Sequence, residues 1–194
     1  NQADTLGIIG TGFQAEGVLR AYMSCSELPF KRVFVFGRDK ARLESFVAKA
    51  KQTSAAEVSG ASSLQGFFEH TELLVTVTSA AEPLFGLEDT SRLRHISALG
   101  SNSLTRRELA PRVVTAATII VVDSIEAAKQ EGGNFVAPIE SGKLNWTHVR
   151  ELGGVMSEKR LAEKNKTGFS IFCSHGLAVQ DLYLAARLLQ KKRG

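Results

Sequence analysis

The chain has 194 residues, enough for one large domain, and is 43% hydrophobic and 23% charged, an ordinary globular balance. Its net charge of +4 suits an anionic ligand but is too small to argue for nucleic acid, and the one dense basic cluster, Lys191-Lys192-Arg193, reads as a solvated tail. Cys25 and Cys173 form neither a metal spacing nor a disulfide framework, no apolar run is long enough to span a membrane, and no signal peptide is visible, so a cytoplasmic location is expected.

The first predicted element is a strand at 6–9. It runs straight into Gly10-Thr11-Gly12-Phe13-Gln14-Ala15 and then a helical pattern over 14–24. Strand, Gly-x-Gly-x-x-Ala turn and helix in this order are how a dinucleotide-binding βαβ unit begins. Gly10 permits the tight turn, Gly12 allows close approach of a pyrophosphate, and Ala15 is small enough for helix and strand to pack. The free N–H groups and positive dipole end at the helix start would face the phosphates.

Further strands are expected at 33–36, near Val58, and at 73–77, 95–99 and 119–122. Several are continuous apolar runs, as parallel strands buried on both faces require. Helices are expected at 40–50, 106–113 and 124–131 between them. After Gly132-Gly133 the rhythm lapses: 134–145 reads as loop, 146–152 as helix and 156–167 as polar loop. A returning strand at 169–172 and a long helix at 175–190 close the pattern. The fold class expected is α/β, a Rossmann-type doubly wound parallel sheet occupying 1–194, with an irregular insertion at about 133–168.

The choice of cofactor turns on the end of the second strand, where NAD enzymes carry an acid for the ribose and NADP enzymes an Arg for the 2′-phosphate. Here Gly37 stands in the acidic position, Arg38 follows, and Arg42 lies one helical turn further on. This favours NADP, with NAD as the alternative. Two plainer roles compete: Asp39 as N-cap of the next helix and Arg38 as a surface charge. If the Asp39 carboxylate instead faces the ribose, NAD gains. FAD and S-adenosylmethionine are disfavoured because both commonly want an acid where Gly37 stands.

Six segments resemble the ornithine cyclodeaminase/mu-crystallin family in order and spacing: LGIIGTGFQA (6–15), VTVTSAAEP (75–83), HISALGSNSLTRREL (95–109), VDSIEA (122–127), ELGGV (151–155) and FCSHGLAVQD (172–181). The resemblance implies a nicotinamide-dependent protein. It also implies an N-terminal domain, absent from this sequence, that supplies dimer contacts, most of the substrate pocket and a catalytic Lys. The C-terminal loop and helix would pack on that domain, and the protein would be a homodimer. The family pattern puts the pyrophosphate against Gly10, Gly12, Phe13 and Gln14, and the adenosine ribose against Gly37, Arg38, Asp39 and Arg42. Thr78 and Ser79 match cofactor-contacting positions, while Leu99 and Ser101 lie on the nicotinamide side.

One departure bears on chemistry. Ornithine cyclodeaminases carry an Asp where this chain has Asn102, and mu-crystallin-like members carry a Ser. Asn cannot exchange a proton at neutral pH, so Asn102 enters as a catalytic candidate in place of an acid/base, or else as a loop-capping residue. The implied activity is an NAD(P)-dependent oxidoreductase moving a hydride at the α-carbon of a small amino or imino acid, with ketimine reduction or amino-acid dehydrogenation ahead of ornithine cyclodeamination. The alternative is a non-catalytic NADP-binding protein of the crystallin type. A further possibility is an excised domain with no activity alone.

Among the remaining candidates, His175 is read as packing at the start of the last helix, with catalysis the lesser reading. His95, Trp146 and Asp123 are read as structural and Cys173 as inert. No cluster has metal spacing, and no Gly-x-Ser-x-Gly makes a nucleophile elbow.

Overall fold

A computed structural model describes residues 3–25, 30–158 and 168–193. Its centre is an eight-stranded sheet of β1 (Thr5–Ile9), β2 (Arg32–Phe36), β3 (Glu57–Gly60), β4 (Leu73–Thr76), β5 (His95–Ala98), β6 (Ile119–Val122), β7 (Val149–Glu151) and β8 (Ser170–Cys173), in the order β3-β2-β1-β4-β5-β8-β6-β7. Every pairing is parallel. The chain winds outward from β1 to β3, then returns to place β4 on the other side of β1. That reversal opens a crevice at the C-terminal strand ends, where open α/β sheets bind ligands.

The helices are α1 (Phe13–Met23), α2 (Lys40–Thr53), α3 (Leu64–Phe68), α4 (Pro111–Ala116), α5 (Ile125–Glu131), α6 (Gly133–Glu140), α7 (Leu152–Ser157) and α8 (Ala178–Arg193). Two apolar cores lie on the two faces of the sheet. On one, Leu6, Ile8, Val33 and Val35 meet Ala15, Leu19 and Phe46 of α1 and α2. On the other, Ile9, Leu74, Ile96, Ile120 and Ile171 meet Phe67, Val113 and Phe135. Alternate residues of β1 thus feed opposite cores, as a period of two demands. Each fully buried Leu or Ile contributes about 1.5–3 kcal/mol.

The Rossmann-type sheet is as the sequence predicts, but five elements differ. The helix expected at 106–113 starts only at Pro111, the first residue of α4, because a residue before proline is driven to extended backbone, as Ala110 is (φ −64, ψ 145). The loop expected at 134–145 contains α6, which even carries Pro138 inside it. The glycine pair that suggested a loop serves a close approach: a Cβ on Gly133 would collide with the Arg106 carbonyl. The helix expected at 146–152 is a 3-10 turn, Trp146–His148, followed by edge strand β7, three residues being too few to leave a periodicity. The polar loop expected at 156–167 begins inside α7, and 159–167 lies outside the described residues. The last helix starts at Ala178 rather than 175, and residues 178–191 are exposed throughout, including Leu182, Tyr183 and Leu188. Among the described residues no helix is long and apolar enough to cross a membrane.

Candidate functional site

The turn after β1 is shaped by missing side chains. Gly10 has φ 132, a left-handed conformation that glycine alone adopts readily, and a Cβ there would lie 2.5 Å from the Val77 carbonyl. Its N–H donates to the Phe36 carbonyl at 3.0 Å, tying the turn to the end of β2. Gly12 is the N-cap of α1 and offers no side chain to the first-turn N–H groups. A Cβ on Gly12 would meet nothing within 4 Å. The uncapped end of α1 therefore faces open space, while the buried Ala15 packs behind it.

At the end of β2, Arg38 is exposed and Gly37 packs close to Thr11, a Cβ on it falling 2.8 Å from the Thr11 methyl. The Asp39 carboxylate accepts from the Arg42 N–H at 3.0 Å and caps α2. It also pairs with the Arg42 guanidinium at 3.8 Å. The capping role is therefore the one observed. Gly37 and Arg38 border a cavity of about 730 Å³ that is otherwise lined by α2 and the end of β3.

A second cavity, of about 500 Å³, lies at the C-terminal strand ends beside α1. It brings together Phe13, Gln14, Leu99 and Asn102 from the predicted set with Val77, Arg20 and the turn Ser174-His175-Gly176. Asn102 is exposed there, and among the described residues no hydrogen bond engages its side chain, so the loop-capping role is not what the geometry shows. Two predicted residues face elsewhere. The Ser101 hydroxyl is buried and donates to the Arg106 carbonyl at 2.6 Å. The Thr78 hydroxyl donates to Glu108 at 2.8 Å, while Ser79 beside it is exposed.

Two buried carboxylates order these loops. Asp123, at the end of β6, accepts from the Ser174 hydroxyl at 3.0 Å and from the N–H groups of His175 and Gly176 at 2.8 and 2.9 Å. Burial opposes its ionisation, but these bonds and the Ser124 amide outweigh burial and hold its carboxyl below the usual aspartate range. The His175 ring lies fully buried against it, Nδ1 3.3 Å from Oδ1, with Nε2 unpartnered. His175 thus packs as expected. The second carboxylate, Glu108, was not legible as functional, because one acid after two arginines looks like a solvated charge; it is fully buried beneath Thr78 and Gly100.

The lesser candidates are structural. His95, Nδ1 2.8 Å from the Ser170 hydroxyl and Nε2 3.0 Å from that of Ser97, is pushed down to about 4 by burial. Burial pushes the Cys173 thiol up to about 12, leaving it unreactive. Trp146 packs on Phe135, ring centres 5.5 Å apart.

Comparison with known proteins shows the family and the fold. Delta(1)-pyrroline-2-carboxylate reductase of Bacillus thuringiensis subsp. konkukian is 30% identical over 193 residues, which is 98% of this chain and 58% of that protein. Ketimine reductase mu-crystallin of Mus musculus is 33% identical over 188 residues, 96% of this chain and 55% of the other. The structure of Thermococcus litoralis Delta(1)-pyrroline-2-carboxylate reductase in complex with NADH and L-proline superposes with a TM-score of 0.80 at 25% identity, covering 93% of this chain and 55% of that one. The chain thus spans little more than half the length of these relatives. The sequence profile of the ornithine cyclodeaminase/mu-crystallin family matches residues 1–193, and the chain belongs to that family.

Proposed function

We propose, with membership of that family as the premise, that this chain binds a nicotinamide dinucleotide, NADP(H) in preference to NAD(H), along the C-terminal edge of its sheet. The protein that carries it is read as an imino-acid reductase, transferring hydride at the α-carbon of a small cyclic ketimine. The observation that carries this reading is the turn at Gly10 and Gly12, with open space before an uncapped helix. The residues fit the cofactor. Gly10 makes the tight turn, Gly12 leaves open space in which a pyrophosphate would sit, and the N–H groups of Phe13 and Gln14 would bind it. The phosphate preference follows from Gly37, which carries no acid, from Asp39, whose carboxylate is committed to α2, and from the exposed Arg38.

When bound, the cofactor supplies the hydride. The chain's own residues orient and exclude. Leu99 and Val77 give the cavity an apolar wall that keeps water from the reacting carbon, and Phe13 stands at its mouth, 87% exposed. Asn102 holds the substrate nitrogen or a water by hydrogen bonds but does not supply a proton. Its presence favours imine reduction over ornithine cyclodeamination. It also supports the second reading, a non-catalytic NADP-binding protein of the crystallin type. Turnover of a cyclic ketimine separates the two.

The apolar side chains that α8 leaves exposed support a further part of the proposal, that this helix packs on the family's N-terminal domain in a homodimer. The free thiols Cys25 and Cys173 suit the cytoplasm we assign to the protein.

Calorimetric titration with NADPH and NADH tests the reading. Tighter NADPH binding is expected, with Arg38→Ala reducing that preference about tenfold, the worth of one charge-assisted hydrogen bond. Tighter NADH binding reverses the phosphate assignment, and binding of neither contradicts the cofactor.

A further inference from the structure

The loops after β4 and β5, which the proposed function assigns to the cofactor, are tied together from beneath by a side chain that belongs to neither. Glu108 is 0% exposed. Its Oε1 accepts from the Thr78 N–H at 2.7 Å and the Thr78 hydroxyl at 2.8 Å. Its Oε2 accepts from the Gly100 N–H at 2.8 Å and the Thr76 hydroxyl at 2.9 Å. Among the described residues no lysine, arginine or histidine pairs with it, so these four donors are what holds the carboxylate in the interior. The loops are also in direct contact: a Cβ on Gly100 would clash with the Thr78 carbonyl and lie 2.6 Å from Glu108 Oε1.

The clamp is itself anchored. The N–H groups of Glu108 and Leu109 donate to Asn134 Oδ1 at 2.9 and 3.1 Å, in the first turn of α6. The Glu108 carbonyl accepts from the Leu84 N–H at 2.9 Å. Backbone and side chain are therefore both fixed before any ligand arrives.

We propose that Glu108 is a positioning residue for the cofactor, a buried carboxylate that sets the loops at Thr78 and Gly100 in their binding geometry without touching the ligand. This rests on the dinucleotide reading above. The two amide donors approach different oxygens of the carboxylate, and only a side chain with two acceptor oxygens serves both. With the loops ordered in advance, binding has no loop entropy to overcome.

Glu108→Gln tests this at constant volume. The amide offers one acceptor oxygen and one NH2 group. A threonine hydroxyl can turn to accept from that NH2, but a backbone N–H cannot, so Thr78 or Gly100 loses its anchor. Two measurements on the purified protein read this out: amide hydrogen exchange without nucleotide, and NADPH affinity. Glu108→Gln is expected to speed exchange at Thr78 or Gly100 relative to Leu74 and Val75, and to weaken NADPH about tenfold or more. Thr71→Val is the comparison, since it removes an equally buried hydroxyl bond, to the Phe67 carbonyl at 2.7 Å, away from these loops. Thr71→Val is expected to lower stability while keeping NADPH affinity within about twofold.

Unchanged exchange at both loops in Glu108→Gln overturns the tie. Equal weakening of NADPH by Thr71→Val overturns it too, since the effect is then general instability. Absence of NADPH binding in the unsubstituted protein overturns the cofactor reading and with it the purpose given to Glu108. Should Glu108→Gln fail to fold, Glu108→Asp, one methylene too short to reach both amides, is expected to weaken NADPH, and full affinity in that variant overturns the proposal.

Discussion

The β1–β2 side and the β5–β8 side of the same sheet edge are shaped by opposite means. Around β1 and β2 the loops are made by side chains that are not there, Gly10, Gly12 and Gly37, above a core of Leu6, Ile8, Val33 and Val35. Around β5 and β8 they are made by carboxylates that are there and buried, Glu108 under Thr78 and Gly100, and Asp123 under Ser174, His175 and Gly176. Glycine leaves room for an incoming group. A buried carboxylate gathers several N–H and O–H donors and fixes a loop where it stands.

Gly100→Ala strikes hardest, because its new Cβ would meet backbone on the carboxylate-built side, 2.5 Å from the Thr78 N. Backbone cannot rotate away as a flexible side chain can, so a loss of about 3 kcal/mol is expected in urea denaturation. A variant as stable as the parent would show that the two loops are not locked together.

The polar side is also expected to carry the pH dependence. His95 is neutral in the fold, its pKa lowered by burial to about 4 against about 6.5 when unfolded. The stability it permits is complete above about pH 6.5 and is lost as pH falls towards 4, because the unfolded chain binds the proton first. The drop is on the order of 2 kcal/mol and levels off once the folded ring also protonates. Asp123, whose folded pKa is lowered, contributes stability that is complete above the unfolded aspartate range and is lost as pH falls through its folded pKa. Denaturation midpoints recorded from pH 7 to pH 4 check the His95 effect, and a flat profile, or one unaltered by His95→Gln, sinks it.

Gly12→Ala sharpens the contrast from the other side. With nothing within 4 Å of its new Cβ, it is expected to cost less than about 1 kcal/mol in stability, the size of an N-cap change. Its methyl would occupy the space a pyrophosphate needs, so NADPH affinity is expected to fall about tenfold or more. Thermal melting beside calorimetry distinguishes the two losses, and intact affinity would remove Gly12 from the site.

The first strand, the glycine turn and the helix after it were legible because they are written within a dozen or so adjacent residues, and the parallel sheet because strand and helix patterns alternate along the chain. An apolar run, a Gly-x-Gly turn and a 3.6-residue period are local signals that need no partner. Asp39 was readable as a cap for the same reason, its carboxylate bonding an amide three residues on. Leu99 and Asn102 line one cavity, while the Ser101 hydroxyl turns inward to a carbonyl, a difference that their nearly adjacent positions in the sequence do not reveal.

What only the tertiary structure decided lies at long separation. Strand β8 enters the gap between β5 and β6, Asp123 meets His175 52 residues away, and Glu108 meets Thr78 30 residues away. A lone acid in Thr105-Arg106-Arg107-Glu108-Leu109 carries no local mark of burial. The glycines at 132 and 133 look like loop until α6 is seen pressed against Arg106. The division follows from physics: backbone propensity and side-chain period act between near neighbours, whereas a buried polar group takes its meaning from whichever donors the folded chain brings to it.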